Sequence, residues 1–236
     1  MKDNKLNIDS IVKKIELIDN KYKNVNIKWF SPNHKIEIFL YEYYINQGDY
    51  NLCEDRIHEM YRTLGDLYKK YNMKDKAEEA YLKSIEYNPV DLDTYYALCD
   101  FYVENEIIDK LLVTASKIYN FCYTKLDMAK YYYYLGQYFK LGFEAEFAYI
   151  LFSYSNTFVK TKENIAQIEF LEKAYNKKLE EYSIEQLKNK LSENKIPINP
   201  SDITLAIVYK VAELENNNGN IEEANQLIQL IQDFLK

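Results

Sequence analysis

A chain of 236 residues that is 47% hydrophobic can bury a sizeable core, and its scarcity of Gly and Pro (five and four) favours long helices over loops. The formal net charge of −7 argues against a general nucleic-acid or anionic-membrane binder, and no apolar run reaches the length of a membrane span. Cys53, Cys99 and Cys122 are odd in number and widely spaced within apolar helical patterns, and the opening MKDNKLNIDS is unlike a secretory leader, so the expected compartment is the cytoplasm with reduced thiols.

Residues 7–22 read as an amphipathic helix with Ile8, Ile11, Val12, Ile15, Leu17 and Ile18 mostly on one face. In the first thirty-five residues Lys outnumbers Asp and Glu, which reads as a solvated face or a basic docking arm. The stretch NVNIKWFSPN interrupts the pattern; Val25, Ile27 and Trp29 alternate with polar residues, which permits a short extended piece, and Trp29-Phe30 is expected to pack over the first helix as a plug. Ser31-Pro32 suits a helix start, with Ser as cap and Pro in the first turn, and predicts a helix to Gln47 with Ile36, Phe39, Leu40, Tyr43 and Tyr44 inward. Gly48-Asp49 makes a turn, and a helix is expected from about Tyr50 into the next segment.

The segment from His58 to Asp91 carries the strongest pattern. Tyr61, Leu64 and Tyr68 put a stripe on one helix, with Gly65 beside it where a second helix can approach closely. Asn72 to Lys76 breaks the pattern, Ala77, Tyr81, Ser84 and Ile85 restart it, and Asn88-Pro89 ends it. This segment resembles the tetratricopeptide repeat, whose period is thirty-four residues and whose aromatic, Leu-Gly, Tyr, Ala, aromatic, Pro series is matched by Tyr61, Leu64-Gly65, Tyr68, Ala77, Tyr81 and Pro89. Asn72 stands at the usual turn Gly and Ser84 at the usual small Ala.

Residues 92–125 align in the same register through Tyr95, Leu98 and Tyr102, with Cys99 where Gly65 stood and Leu111, Ala115 and Ile118 inward on the second helix. After a three-residue insertion, residues 129–162 repeat it through Tyr132, Leu135-Gly136 and Phe139, then Ala148, Phe152 and Ser155, with Gly142 at the turn. A long helix is expected over 163–182 and a short capped one over 183–194; IPINPSD is the clearest break, and Ser201-Asp202 opens a last pair with Gly219 at its turn and Ala224 five residues on. The domain reading is an N-terminal cap and degenerate opening unit (1–57), three repeats (58–162) and a degenerate, capped C-terminal region (163–236).

The resemblance implies an all-α fold, a right-handed α-solenoid of antiparallel helix pairs, whose first helices line a concave groove for a peptide or protein segment. The groove positions it implies include Arg62, Asp66, Lys69, Tyr96, Asp100, Lys130, Tyr133, Tyr134 and Gln137, mixed in charge at one end and aromatic at the other. Asp66 would repel a carboxylate, which argues against the family's clamp for C-terminal tails. No phosphate-loop, dinucleotide or nucleophile-elbow string occurs, and His34 and His58 lack a Cys pair, so no catalytic residue, metal or cofactor is expected. The reading is a non-catalytic scaffold that binds a protein or peptide, not nucleic acid or membrane. Its alternatives are a peptide-sensing regulator acting through a protein partner and a subunit that self-associates through its N-terminal region.

Overall fold

The computed structural model describes residues 2–22, 28–46, 48–176 and 178–235, with side chains from Ile8 to Phe234. Among the described residues there are twelve α-helices and one pair of three-residue strands. Two compact units form, residues 1–101 and 102–236.

In the first unit, α1 (Lys2–Tyr22) lays Ile15 against Leu64 and Ala80, flanked by Ile8, Ile11 and Val12. Leu17 faces solvent rather than this cluster, because its position falls off the Ile8–Ile11–Ile15 stripe. Next comes β1 (Lys28–Phe30), then α2 (Lys35–Tyr44) and β2 (Tyr50–Leu52), a parallel pair in which Lys28 lies opposite Tyr50 and Phe30 opposite Leu52. The expected helix from Tyr50 is therefore a strand, and the helix expected from Ser31-Pro32 starts at Lys35. Parallel strands need a crossover, and α2 supplies it. Tertiary contact overrides local propensity here. Phe30 is fully buried and stacks on Tyr41, with centroids 4.2 Å apart, while the Ser31 N–H donates to the Tyr87 carbonyl at 2.9 Å. Ile36 and Leu40 of α2 are buried as expected and Tyr41 joins them, whereas Tyr43 is exposed. Trp29 packs on Tyr22 of α1 at 4.8 Å, as the expected plug does.

The helical repeat follows: α3 (Ile57–Lys70), α4 (Lys74–Tyr87) and α5 (Leu92–Glu104), the unit boundary falling within α5. The second unit continues with α6 (Ile108–Ile118), a 3-10 turn at Tyr119–Phe121, α7 (Lys125–Leu141), α8 (Ala145–Phe158), α9 (Lys162–Tyr175), α10 (Ile184–Glu193), α11 (Asp202–Asn217) and α12 (Ile221–Leu235). The helix expected over 163–182 stops at Tyr175, because Asn176 takes a left-handed backbone (φ +49°) that closes it. Ser183 and Ser201 cap α10 and α11 as their sequence suggests, accepting from the N–H groups of Gln186 and Thr204.

The repeat is written into the backbone as well as the stripe. The turns after α3, α5, α7 and α11 place Asn72, Glu106, Phe143 and Gly219 at positive φ, between +55° and +84°. In each, the next N–H reaches back to a helix carbonyl: Met73 to Tyr68, Ile107 to Tyr102, Glu144 to Phe139 and Asn220 to Glu215, at 2.8–2.9 Å. The third turn is thus made by Phe143 rather than by Gly142, whose φ is −78°.

The close-packing glycines behave as expected. A Cβ on Gly65 would lie 2.6 Å from the Tyr81 ring, and one on Gly136 would lie 2.5 Å from the Phe152 ring. Ser84 donates to the His58 carbonyl and Ser155 to the Ala129 carbonyl, both at 2.7 Å, so Ser is favoured over Ala at that place.

IPINPSD is no free linker. The hydroxyls of Tyr132, Tyr154 and Tyr119 donate to the successive carbonyls of Pro197, Ile198 and Asn199 at 2.7, 2.7 and 3.1 Å, and Thr204 Oγ1 donates to the Asn120 carbonyl at 2.7 Å. Three tyrosines thereby pin the segment to the second unit.

Candidate binding surfaces

The first unit holds Arg62, Asp66, Lys69, Tyr96 and Asp100. Helical spacing places Arg62, Asp66 and Lys69 along one side of α3. The Arg62 guanidinium meets Asp91 at 3.1 Å and Asp93 at 3.4 Å, and Asp91 also accepts from the Thr94 N–H at 3.1 Å and hydroxyl at 2.5 Å. Arg62 is therefore engaged by the loop before α5 and by that helix's first turn. Asp66, itself exposed, accepts from the Tyr81 hydroxyl at 2.7 Å. Lys69 is half-buried and Asp100 exposed, while Tyr96 is buried.

In the second unit the aromatic end is packed more than open. Tyr134 and Gln137 are buried, and Tyr133 is half-buried with its ring 5.8 Å from Phe152 and 5.2 Å from Tyr134; Lys130 is half-buried. The physical reason is that α7 is a central helix, packed against α6, α8 and α12, so more than one of its faces is covered. Four consecutive Tyr at 100° intervals then bury three rings and leave Tyr133 alone half-covered.

Sequence reading missed a polar network in the first unit. Ser31 Oγ lies 2.8 Å from His58 Nδ1, and His58 Nε2 lies 3.0 Å from Asn33 Oδ1. Asn33 in turn donates to Glu37 at 2.9 Å and to Asp91 at 3.2 Å, and Asn88 donates to Glu37 at 2.8 Å and to the Ser31 carbonyl at 3.0 Å. Because the Asn33 amide nitrogen faces two carboxylates, its oxygen faces the imidazole, which makes Nε2 a protonated nitrogen, while the single Ser31 hydroxyl proton is shared between Nδ1 and the Asp55 carbonyl at 3.1 Å. Hydroxyl, imidazole and amide in line have the connectivity of a nucleophile, base and orienter. Ser31 is 1% exposed and His58 0%, however, so a substrate has no access to the hydroxyl, and the set reads as a structural tie between the βαβ segment and the repeat. No local pattern could have revealed it, since Ser31 and His58 stand twenty-seven positions apart and Asn33 and Asp91 fifty-eight.

Burial pushes the His58 pKa down, opposed by the nearby Asp91 and Glu59 charges. The unfolded chain therefore takes up a proton on His58 at a higher pH than the folded one. Its contribution to stability is complete above about pH 6.5 and is lost as pH falls through the folded value. An NMR titration should place the His58 midpoint below about 6.5; a higher midpoint would exclude the buried neutral ring.

A cleft of about 460 Å³ opens in the second unit between the α7–α8 turn, the end of α9 and α10. Phe143, Phe147 and Tyr175 give it aromatic walls, and Glu144, Glu146 and Glu193 set its charge against Lys190, whose ammonium sits 4.9 Å over the Tyr182 ring. Phe143 is 95% exposed. It stands where the repeat register places Asn72 and Glu106, the one signal by which sequence could have found it.

The thiols suit no redox site. Cys99 and Cys122 are buried with pKa values pushed well up by burial, and burial takes Cys53 to about 12. Among the described residues no group of three or more His, Cys, Asp or Glu is placed to hold a metal ion, and no helix is long and apolar enough to cross a membrane. Compared with known proteins, the chain finds no counterpart: no family model, no curated protein and no solved structure matches it.

Proposed function

We propose that the chain is a tetratricopeptide-like, right-handed solenoid of antiparallel helix pairs, cytoplasmic and non-catalytic, that works by binding a protein or peptide segment. One observation carries this reading: the same left-handed turn, followed five residues later by a small or aliphatic inward residue, recurs after α3, α5, α7 and α11 (Asn72–Ala77, Glu106–Leu111, Phe143–Ala148, Gly219–Ala224). A repeated unit of this kind buries its core by stacking and leaves extended surface for recognition.

The side of α3 and α5 that keeps exposure carries Asp66 and Asp100, and these are the residues to test. A variant with Asp66→Asn and Asp100→Asn removes both charges, keeps a side-chain oxygen for the Tyr81 hydroxyl, and should unfold with unchanged cooperativity, because neither carboxylate is buried. In a pull-down from native cytoplasm, selective loss of a partner from this variant supports the reading. A full set of partners retained moves recognition off this face. Replacing Tyr96 and Tyr134 would be a poor test, since their burial makes loss of folding the expected result.

A further inference from the structure

The Phe143 side chain serves no purpose in the fold. Its turn demands a left-handed backbone (φ +63°), which Asn and Gly adopt at low strain and Phe does not. A strained Phe is ordinarily repaid by burial, yet this ring is 95% exposed. Neither backbone preference nor packing selects Phe here, so the selection comes from outside the folded chain. The ring stands at the mouth of the cleft, beside Glu144, Glu146 and Glu193, whose charges outnumber Lys190. A fitting occupant brings apolar area together with cations.

The outer face of α1 has that chemistry. Leu17 is 73% exposed, with Lys13 and Lys14 one turn before it and Lys21 one turn after, all exposed; Lys21 also reaches Asp55 at 2.9 Å. We propose that α1 of a second copy of this chain docks in the α7–α10 cleft, with its Leu17 against Phe143 and its Lys13 and Lys14 facing Glu144, Glu146 and Glu193. Two different surfaces meet in such a contact, so it is heterologous and builds open chains or rings rather than a closed dimer. The idea is independent of whether the face of α3 and α5 binds a peptide.

Two substitutions test it without threatening the fold, because both positions are exposed. Phe143→Asn removes the aromatic knob and relieves the turn, so its melting temperature should match or exceed that of the wild type. Leu17→Glu places an acid among the lysines. In sedimentation velocity at tens of micromolar and low salt, the wild type should form species larger than a monomer, and these should dissociate as added salt screens the charges. Each variant alone should be monomeric. Mixed in equal amounts, they should form a one-to-one dimer, since one supplies an intact cleft and the other an intact α1.

A wild type that stays monomeric overturns the proposal, as does assembly that survives Phe143→Asn. Assembly that survives Leu17→Glu but not Phe143→Asn also overturns it, because the cleft then takes something other than α1. A mixture that remains monomeric does the same.

Discussion

Gly136→Ala should destabilise the protein, although Ala is the better helix former. In an open helix the exchange would stabilise by about 1 kcal/mol. At Gly136 the new methyl would lie 2.5 Å from Phe152 Cε1 and 2.7 Å from Cδ1, against a ring that is fully buried and packed beside Tyr133. Forcing a methyl into a filled core costs about 1–3 kcal/mol, and the backbone shift needed here puts the effect at the upper end. For a domain of this size each kcal/mol lowers the melting temperature by about 2–4 °C.

Gly65→Ala should behave alike against Tyr81, whose ring is held by its hydrogen bond to Asp66. The middle repeat shows how the strain is relieved, since it carries Cys99 at the glycine position and Ala115 at the aromatic one. Phe152→Leu should accordingly be less harmful in the Gly136→Ala background than in the wild type, a coupling that a double-mutant cycle by chemical denaturation reads directly. Equal stability of Gly136→Ala and wild type would show that α7 and α8 are not in close contact there.

Asn88→Asp, which barely changes shape, should be more damaging still at neutral pH. The Asn88 amide gives one N–H to Glu37 Oε2 and one to the Ser31 carbonyl, and both groups are buried. The exchange removes both donors and sets a second carboxylate at hydrogen-bond distance from the first. Leaving a buried charge uncompensated costs about 3–5 kcal/mol.

Burial already raises the Glu37 pKa above the ordinary carboxylate value, and the introduced acid would raise it further. A carboxylate whose folded pKa is raised stabilises fully below its unfolded value and loses that stability as pH rises through the folded one. The deficit relative to wild type should therefore be largest at pH 7 and shrink as pH falls toward about 4.5, where the pair can share protons. Denaturation curves at the two pH values would measure it, and a deficit independent of pH would show that Glu37 is not the partner.

These two positions mark where the sequence was legible and where it was not. Gly65, Gly136 and the stripes around them could be read because close packing of neighbouring helices leaves a periodic imprint, with Tyr61, Leu64, Tyr68 and their equivalents at helical spacing. Asn88 looked like a helix stop, which it is, but its amide serves a carboxylate from α2 that no spacing connects to it. The alternation through Trp29 points to the extended piece at 28–30, with Val25 and Ile27 lying outside the described residues, but nothing marks 50–52; the pair forms as Phe30 is drawn into contact with Tyr41 and Tyr50. On the side of α3 and α5 proposed for binding, Asp66 and Asp100 were legible as exposed charges. Tyr96 and Tyr134 were not legible as core, because tyrosine suits either setting; for Tyr134 burial depends on which faces of α7 the neighbouring helices cover.

The tyrosine pins on Pro197, Ile198 and Asn199 bear on how this protein can be cut. By composition the IPINPSD stretch is the natural hinge at which to divide the chain into fragments. Yet Tyr132 and Tyr154 are buried rings whose hydroxyls are aimed at that stretch, and a fragment ending at Asn194 would leave both facing empty space, each without its acceptor. The C-terminal helices are thus stitched to α7 and α8 through main-chain carbonyls. Any shortened form that keeps those two helices must also keep the proline segment, whatever its side chains.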